Sequence, residues 1–317
     1  YFKLTLIFFG FSVVLGILIV KFFYTSAFGV FLSQVLSFMF TYMFLIKKLF
    51  TKLKFNILFD ELTSLIKYSY PTIITMLGSF MNQHFSKILV SGIFIKKDFI
   101  TFVVALKIGI LYLSVEQIFK TIWQPEITRN VTDKNRDYFI TISKNYCAFF
   151  LIFLLILNVI SYHFVYIYSS ETYINAAILC PLIITTFYVE GLKNVFSIGN
   201  QIKRKIIYNS YSTIFSGLLS LMLIFFIKDK FDLLGIAVIL CVTTVIQSFL
   251  IFATSQKNFK IDFDVRYITY LILIILQLTA IFTYIQIKFL SFSIIINSVI
   301  SCIVIIFFVL LIDNFKK

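Results

Sequence analysis

Charged residues are scarce in this sequence: Asp, Glu, Lys and Arg make up 13% of its 317 residues, and hydrophobic residues make up 60%. A soluble globular domain has about a quarter charged residues and about half apolar ones. The surplus apolar residues cannot all be hidden inside a water-soluble core. The composition therefore excludes an ordinary soluble protein and predicts a protein that lies in lipid.

Alternating polarity is also missing, since residues 151–157 are apolar throughout. The strands of a membrane β-barrel alternate between apolar and polar residues over about ten positions, so the barrel is excluded. Instead, apolar blocks of about 17 to 25 residues are separated by short clusters of Lys, Asn and Asp, and such blocks suit helices that cross the hydrocarbon core. The pattern predicts an all-α, polytopic transmembrane helix bundle.

Catalytic and metal-binding motifs are lacking as well. The sequence contains no HExxH, GxSxG or P-loop motif, each of which would place catalytic groups at a defined spacing. The four cysteines lie within apolar blocks at no metal-ligand spacing, which predicts small core residues: Cys147, Cys180, Cys241 and Cys302. We therefore expect no catalytic residue, no metal site, no cofactor and no enzymatic activity.

The net charge of +14 does not indicate a nucleic-acid partner, because the positive charge is spread over many short loops. Eighteen Lys and Arg residues fall in one set of alternate loops, with clusters at 47–67 and 203–205, and six fall in the other set. The positive-inside rule assigns the richer set to the cytoplasm. Both ends of this sequence are therefore predicted to be cytoplasmic.

The apolar blocks predict about ten spanning helices. They lie at residues 4–20, 26–46, 68–95, 99–123, 144–168, 173–199, 208–228, 233–255, 267–286 and 292–312. Every loop assigned to the outer side is short, so no outward domain is expected to hold an active site. Because Tyr1 is not a natural start and no signal-peptide cleavage pattern follows it, we expect a sequence that begins inside a longer protein.

The longest loop, residues 47–67, is basic and amphipathic, which predicts a helix at the cytoplasmic interface and a linker between two halves. Its apolar positions are Phe50, Leu53, Ile57, Leu58, Leu62 and Leu65. The hairpin at 4–46 resembles the hairpin at 208–253. The two are either a true internal repeat or unrelated membrane hairpins with a chance similarity. A true repeat predicts about four more helices before Tyr1.

Polar residues on the third predicted span recur at spacings of three and four, which places them on one face: Thr72, Thr75, Ser79, Asn82, Gln83, Ser86 and Lys87. A water-filled cavity is the expected counterpart of this face. Lys87 and Lys107 fall at a similar depth, roughly 12 Å from the outer ends of adjacent spans, where they are placed to share one anion. The alternative is that each lysine snorkels outward along its own stem.

Four lysines and two glutamates lie inside predicted spans, where burial is costly: Lys87, Lys107, Lys120, Lys193, Glu116 and Glu190. Glu116 and Lys120 are four residues apart, which favours an ion pair on the helix surface over a proton relay. Glu190 is a candidate proton or sodium carrier, and the alternative is an ion pair with Lys193. His84 lies on the polar face of the third span and is a second titratable candidate, the alternative being a structural histidine.

Four sequence features occur in an order that resembles the second lobe of polysaccharide repeat-unit flippases of the Wzx type. They are Lys67-Tyr68-Ser69-Tyr70-Pro71 after the basic linker, Ser86-Lys87, Trp123-Gln124-Pro125, and Gly199 to Lys205 before Asn209. This family belongs to the multidrug/oligosaccharidyl-lipid/polysaccharide exporter (MATE-like) superfamily. Ser86 departs from the acidic residue that the family often has, so no ion pair is expected there.

The resemblance implies a two-lobed MATE-like transporter fold around a cationic cavity. In it, residues 1–46 form the last helical hairpin of the N-terminal lobe, 47–67 the linker, 68–255 a six-helix C-terminal lobe, and 256–317 an additional hairpin and tail. It also implies alternating-access transfer of an undecaprenyl-pyrophosphate-linked oligosaccharide across the bacterial inner membrane, for O-antigen (lipopolysaccharide) or capsule biosynthesis. Membrane lipids and the polysaccharide polymerase machinery are the implied partners.

The same resemblance implies which residues bind the substrate. The implied anion ligands are Lys87 and Lys107, the implied sugar contacts are Asn82, Gln83 and Tyr112, and the implied residues for coupling to H⁺ or Na⁺ are Glu190 and His84. Two alternatives remain open. A membrane-embedded polysaccharide polymerase needs an outward catalytic loop, and a cation-coupled drug antiporter of the same superfamily is expected to bury more carboxylates than lysines.

Overall fold

The computed structural model describes residues 11–12, 14–19, 21–22, 27–50, 59–80, 84, 86–129, 136–169, 171–203, 205–227, 232–261, 274–275, 277–284 and 287. These residues contain helices and turns and no strand. The helices are α1 (Ala27–Phe50), α2 (Phe59–Phe80), α3 (Ser86–Ile93), α4 (Lys96–Arg129), α5 (Arg136–Tyr168), α6 (Ala176–Phe196), α7 (Ile198–Ile202), α8 (Ile207–Ile227) and α9 (Leu233–Asn258). The all-α prediction is confirmed for the part of the chain described.

Among the described residues, five helices are long and apolar enough to cross a membrane: α4, α5, α6, α8 and α9. They correspond to the predicted spans from 99–123 to 233–255, so the structure supports a multi-pass α-helical membrane protein. Helices α4 and α5 run beyond the predicted apolar stretches, to Arg129 and from Arg136 respectively. A helix continues past the hydrocarbon wherever its backbone hydrogen bonds can continue, and the apolar pattern does not record this.

Within the predicted span at 68–95, the structure describes helix up to Phe80, a π-helical residue at His84, and helix again from Ser86. Helix α2 begins at Phe59, inside the predicted linker, and ends at Phe80, and α3 begins at Ser86. The rest of the linker's apolar run, at 51–58, lies outside the described residues, as do residues 81–83 and 85. Helix α1 covers the predicted span at 26–46. The span at 292–312 is outside the described residues, and those at 4–20 and 267–286 are described only in part.

By contacts the chain divides into two compact units, Tyr1–Leu65 and Ile66–Lys317. In the first unit, the Phe11 and Phe40 rings stack with centroids 5.3 Å apart. Gly16 lies opposite Ser33, whose Oγ would be 3.5 Å from a Cβ on that glycine. Residue numbers rise along one segment as they fall along the other, so these two described segments run antiparallel.

Helix α6 is the central helix of the second unit. It packs against α4, α5 and α9, and 72% of its spanning window is buried, against 33% to 50% for the other four spans. Large apolar side chains such as Phe215, Met222 and Phe226 on α8 point outward, as expected where lipid is the solvent. The three described cysteines, at 147, 180 and 241, are buried and free, as the sequence predicts.

Glycines let α6 approach its neighbours closely. A Cβ on Gly109 of α4 would overlap the ring of Phe187 on α6. A Cβ on Gly191 of α6 would lie 2.7 Å from the hydroxyl of Tyr146 on α5. Small residues at such crossings bring helix backbones together in membranes, where the hydrophobic effect does not hold helices against each other.

Candidate functional site

Helices α3, α4, α6 and α9 surround a cavity of about 700 Å³, counted with its opening, which we call the Lys87 cavity. Its apolar lining is Phe102, Leu106, Ile110, Leu113, Ile183, Phe187 and Leu240, and its polar lining is Ser86, Lys87, Thr186, Glu190, Thr244 and Gln247. A largely apolar pocket with a few convergent polar groups is the usual form of a small-molecule site.

Helical periodicity explains why these residues share one cavity. Helix α4 contributes residues 102, 106, 110 and 113, α6 contributes 183, 186, 187 and 190, and α9 contributes 240, 244 and 247. Spacings of three and four place each set on one face of its helix. Three helix faces therefore meet at the Lys87 cavity, and α3 adds the side chain of Lys87.

The structure brings together two residues that the sequence placed on separate spans. Lys87 is half-buried, and it lines the same cavity as Glu190. The sequence assigned them different roles, an anion ligand and an ion-coupling residue. Their shared cavity therefore carries both a cation and a carboxylate in its wall.

Glu190 forms the ion pair with Lys193 that the sequence left as an alternative, with 3.2 Å between Oε1 and Nζ. Lys193 Nζ also donates to Gln247 Oε1 at 3.1 Å. Gln247 in turn donates to Thr213 Oγ1 at 2.8 Å and accepts from Ser216 Oγ at 3.3 Å. The network joins α6, α8 and α9, and it offsets the Glu190 charge within the cavity wall.

Lys107 lies beside the Lys87 cavity and is not among its lining residues. Its side chain is exposed on α4, whereas Leu106 and Ile110 on the adjoining face line the cavity. The Lys107 charge is close enough to repel that of Lys87. A shared anion and an outward-snorkelling Lys107 both fit this position, so the anion role of Lys107 stays a prediction.

Tyr112, predicted as a sugar contact, lies in the interior of the bundle and is not among the residues that line the cavity. Its side chain is fully buried, and its ring lies 5.6 Å from that of Phe150 and 6.2 Å from that of Tyr188. His84 is exposed, with its ring stacked 4.5 Å from that of Phe80. The predicted sugar contacts Asn82 and Gln83 lie outside the described residues.

Glu116 is the residue whose position differs most from the sequence prediction. It is 2% exposed, and its Oε1 accepts hydrogen bonds from Asn194 Nδ2 at 2.6 Å and from the Tyr146 hydroxyl at 3.4 Å. No ion pair within 4 Å joins it to Lys120, which is also described. The sequence spacing could have indicated this burial, because Ile108, Tyr112 and Glu116 follow one another at intervals of four and so share one face of α4.

The motif from Gly199 to Lys205 connects three helices at one end of the bundle. The Asn200 side chain donates to Asn209 Oδ1 at 2.7 Å and accepts from Asn258 Nδ2 at 2.8 Å. A Cβ on Gly199 would lie 2.6 Å from the carbonyl oxygen of Ser255. These contacts assign the motif a structural role, which is to hold α7, α8 and α9 together.

Comparison with known proteins returned no matching family model, no matching curated protein and no matching solved structure.

Proposed function

We propose that this protein transports an amphipathic anionic lipid across the membrane. The substrate we infer is an undecaprenyl-pyrophosphate-linked oligosaccharide, moved between leaflets of the bacterial inner membrane by alternating access. The observation that supports this is Lys87 in the wall of a largely apolar cavity between membrane-spanning helices. Under this proposal the protein is a transporter and not an enzyme.

The charges of the cavity wall favour an anionic ligand. The Glu190 carboxylate is offset by Lys193, so the lining retains the positive charge of Lys87. A pyrophosphate group cannot enter hydrocarbon unaided, because burying an unpaired charge is very costly. A lysine ammonium forms charge-assisted hydrogen bonds to phosphate oxygens and reduces that cost.

The remaining lining suits the other parts of such a substrate. Hydroxyl and amide groups of Thr186, Thr244 and Gln247 are available to hydroxyl-rich sugars, and residues such as Phe102 and Leu106 offer an apolar surface to an isoprenoid chain. Sugars bind through hydrogen bonds, and the chain binds through burial of apolar area. The cavity therefore presents all three kinds of group that the proposed substrate requires.

The proposal includes the finer organisation predicted from the sequence. It comprises a two-lobed MATE-like fold with about ten helices in this sequence, cytoplasmic ends, and polysaccharide polymerase machinery as the acceptor of the product. These features follow from the charge pattern of the loops and from the family resemblance. Accessibility of single cysteines introduced at 203 and 228 to a membrane-impermeant maleimide tests the orientation.

The function is tested in a host strain that lacks the gene. We expect loss of the surface polysaccharide ladder, restoration by the wild-type protein, and no restoration by Lys87→Ala with Lys107→Ala. Lys205→Ala is the matched control, because its ammonium bonds to Asn258 at the end of the bundle, and it should restore the ladder. Restoration by the double variant, at equal protein level, contradicts the anion site.

A second candidate function, cation-coupled drug antiport, is favoured by one observation, which is that Glu190 lines the same cavity. A cationic drug would be attracted to that carboxylate once Lys193 moves away. Purified protein in liposomes distinguishes the two functions. Drug efflux driven by a proton or sodium gradient supports antiport, whereas transfer of a fluorescent prenyl-pyrophosphate oligosaccharide supports the flippase.

A further inference from the structure

A buried group of polar side chains lies beside the Lys87 cavity, between α4, α5 and α6. We call it the Glu116 pocket, and it contains Glu116, Tyr112, Tyr146 and Asn194 around the backbone of Gly191. A Cβ on Gly191 would lie 3.3 Å from Glu116 Cγ, 2.7 Å from the Tyr146 hydroxyl and 3.6 Å from the Tyr112 hydroxyl. None of these residues lines the Lys87 cavity, so the pocket is a separate site.

Among the described contacts, only one oxygen of the Glu116 carboxylate, Oε1, accepts hydrogen bonds. Asn194 at 2.6 Å and Tyr146 at 3.4 Å both donate to Oε1, and both donors are neutral. A carboxylate at membrane depth is stable only when a cation or several hydrogen bonds compensate its charge. Two neutral donors on a single oxygen leave Oε2 as the atom where a proton can bind.

The charged and titratable groups around the pocket leave Glu116 largely uncompensated. On α4, Lys120 attracts the Glu116 carboxylate electrostatically, but no ion pair within 4 Å joins these two described residues. Tyr112 on the same helix also faces the pocket. On α5 the facing groups are Tyr146 and Cys147. On α6 Glu190 repels the carboxylate, and Lys193 is bonded to Glu190 and Gln247.

The Tyr112 hydroxyl is an independent indication of a ligand. It is fully buried, and among the residues that the structure describes it has no hydrogen-bond partner. A buried hydroxyl without a partner is rare and calls for an explanation. A protonated Glu116 provides one, because its new O–H group can donate to the Tyr112 oxygen after a small rotation of the carboxyl group.

We infer that Glu116 takes up and releases one proton during transport, with the Tyr112 hydroxyl as the acceptor that stabilises the protonated acid. The proton comes from water and forms an O–H bond at Oε2, and its return to water breaks the same bond. Glu190 of α6 lines the Lys87 cavity, and a Cβ on the next residue, Gly191, would lie 3.3 Å from Glu116 Cγ. Protonation therefore changes the α4–α6 contact directly beside the cavity. The transport part of this inference rests on the proposed function.

Infrared spectroscopy of the purified protein in nanodiscs tests the proton site without any substrate. We expect a carbonyl band of a protonated carboxylic acid that titrates with pH, is missing in Glu116→Gln, and remains in Glu190→Gln, the matched control with a paired carboxylate. Tyr112→Phe, which keeps the ring, should shift the band toward the position of an unbonded acid. A titrating band that is unchanged in Glu116→Gln, or unshifted in Tyr112→Phe, overturns the assignment.

Transport measurements separate this inference from the proposed function. In liposomes, a pH difference should accelerate lipid transfer by the wild type several-fold and leave transfer by Glu116→Gln unaffected. An equal response in both proteins overturns the coupling role while the flippase proposal stands. If the wild type transfers no lipid, the proposed function fails, and the infrared titration still decides whether Glu116 binds a proton.

Discussion

Lys193 lies between the Glu190 carboxylate and the Gln247 amide, with its Nζ 3.2 Å from Glu190 Oε1 and 3.1 Å from Gln247 Oε1. One ammonium group thus connects α6 to α9 and offsets the charge of a cavity-lining carboxylate.

Lys193→Gln should destabilise the protein by about 1–3 kcal/mol, because it leaves the Glu190 carboxylate without its counter-ion in a partly buried position. The measurement is thermal unfolding in detergent, followed by tryptophan fluorescence or light scattering. Glu190→Gln with Lys193→Gln removes both charges and should recover part of the loss. If the double variant is no more stable than Lys193→Gln, the ion pair does not contribute to the stability of the fold.

Gln247→Leu should cost about 1–3 kcal/mol, because it removes the hydrogen bonds that join α9 to Lys193 on α6 and to Thr213 and Ser216 on α8. Gln117→Leu is the control, since Gln117 is exposed on α4 and should change stability by less than about 0.5 kcal/mol. Thermal unfolding of the two variants in the same detergent makes the comparison. Equal losses would contradict the network as a source of stability.

Gly109→Ala should destabilise the α4–α6 contact by about 1–3 kcal/mol, because its Cβ would overlap the Phe187 ring. Gly92→Ala is the matched control, since a Cβ there would meet nothing within 4 Å. It should be neutral or slightly stabilising, because alanine has a higher helix propensity than glycine. The difference in melting temperature between these two variants measures the close approach, and no difference would contradict it.

Cysteines introduced at Thr185 and Thr279 should form a disulfide on mild oxidation. Their Oγ1 atoms are 2.7 Å apart, which places helical residues 277–284 against α6 and brings the two Cβ atoms near disulfide range. The pair Thr186→Cys and Thr279→Cys is the control, because Thr186 points into the Lys87 cavity and should not cross-link. Mass spectrometry of the digested protein identifies the bridge, and cross-linking of the control pair alone would contradict this packing.

The helices of the second unit were predictable because length and apolarity alone decide whether a segment crosses lipid. Leu233–Asn258 matches the span predicted at 233–255, and Ile207–Ile227 matches the span at 208–228. The extension of α4 to Arg129 was not predicted, because the apolar pattern ends before the helix does. Hydropathy records how favourable a segment is in lipid and carries no information about how far its backbone hydrogen bonding continues.

The sequence also predicted which ionisable residues needed an explanation, and it named the Glu190–Lys193 pair because residues three apart meet on a helix face. It could not decide which neighbouring helix each face would meet. Only the tertiary structure decided that Lys87 and Glu190 share a cavity, that Tyr112 is in the interior, and that Glu116 turns toward Asn194 instead of Lys120.

The physical reason is that composition and periodicity act within one segment, so the sequence by itself determined a membrane protein, its helices and their polar faces. Burial, cavities and hydrogen bonds between helices depend on which faces meet and how closely. Here the closeness is set by Gly109 and Gly191, whose missing Cβ atoms let α6 pack tightly against α4 and α5. The sequence around a glycine in an apolar run does not show which helix packs against it. The sites beside these crossings are therefore determined only by the tertiary structure.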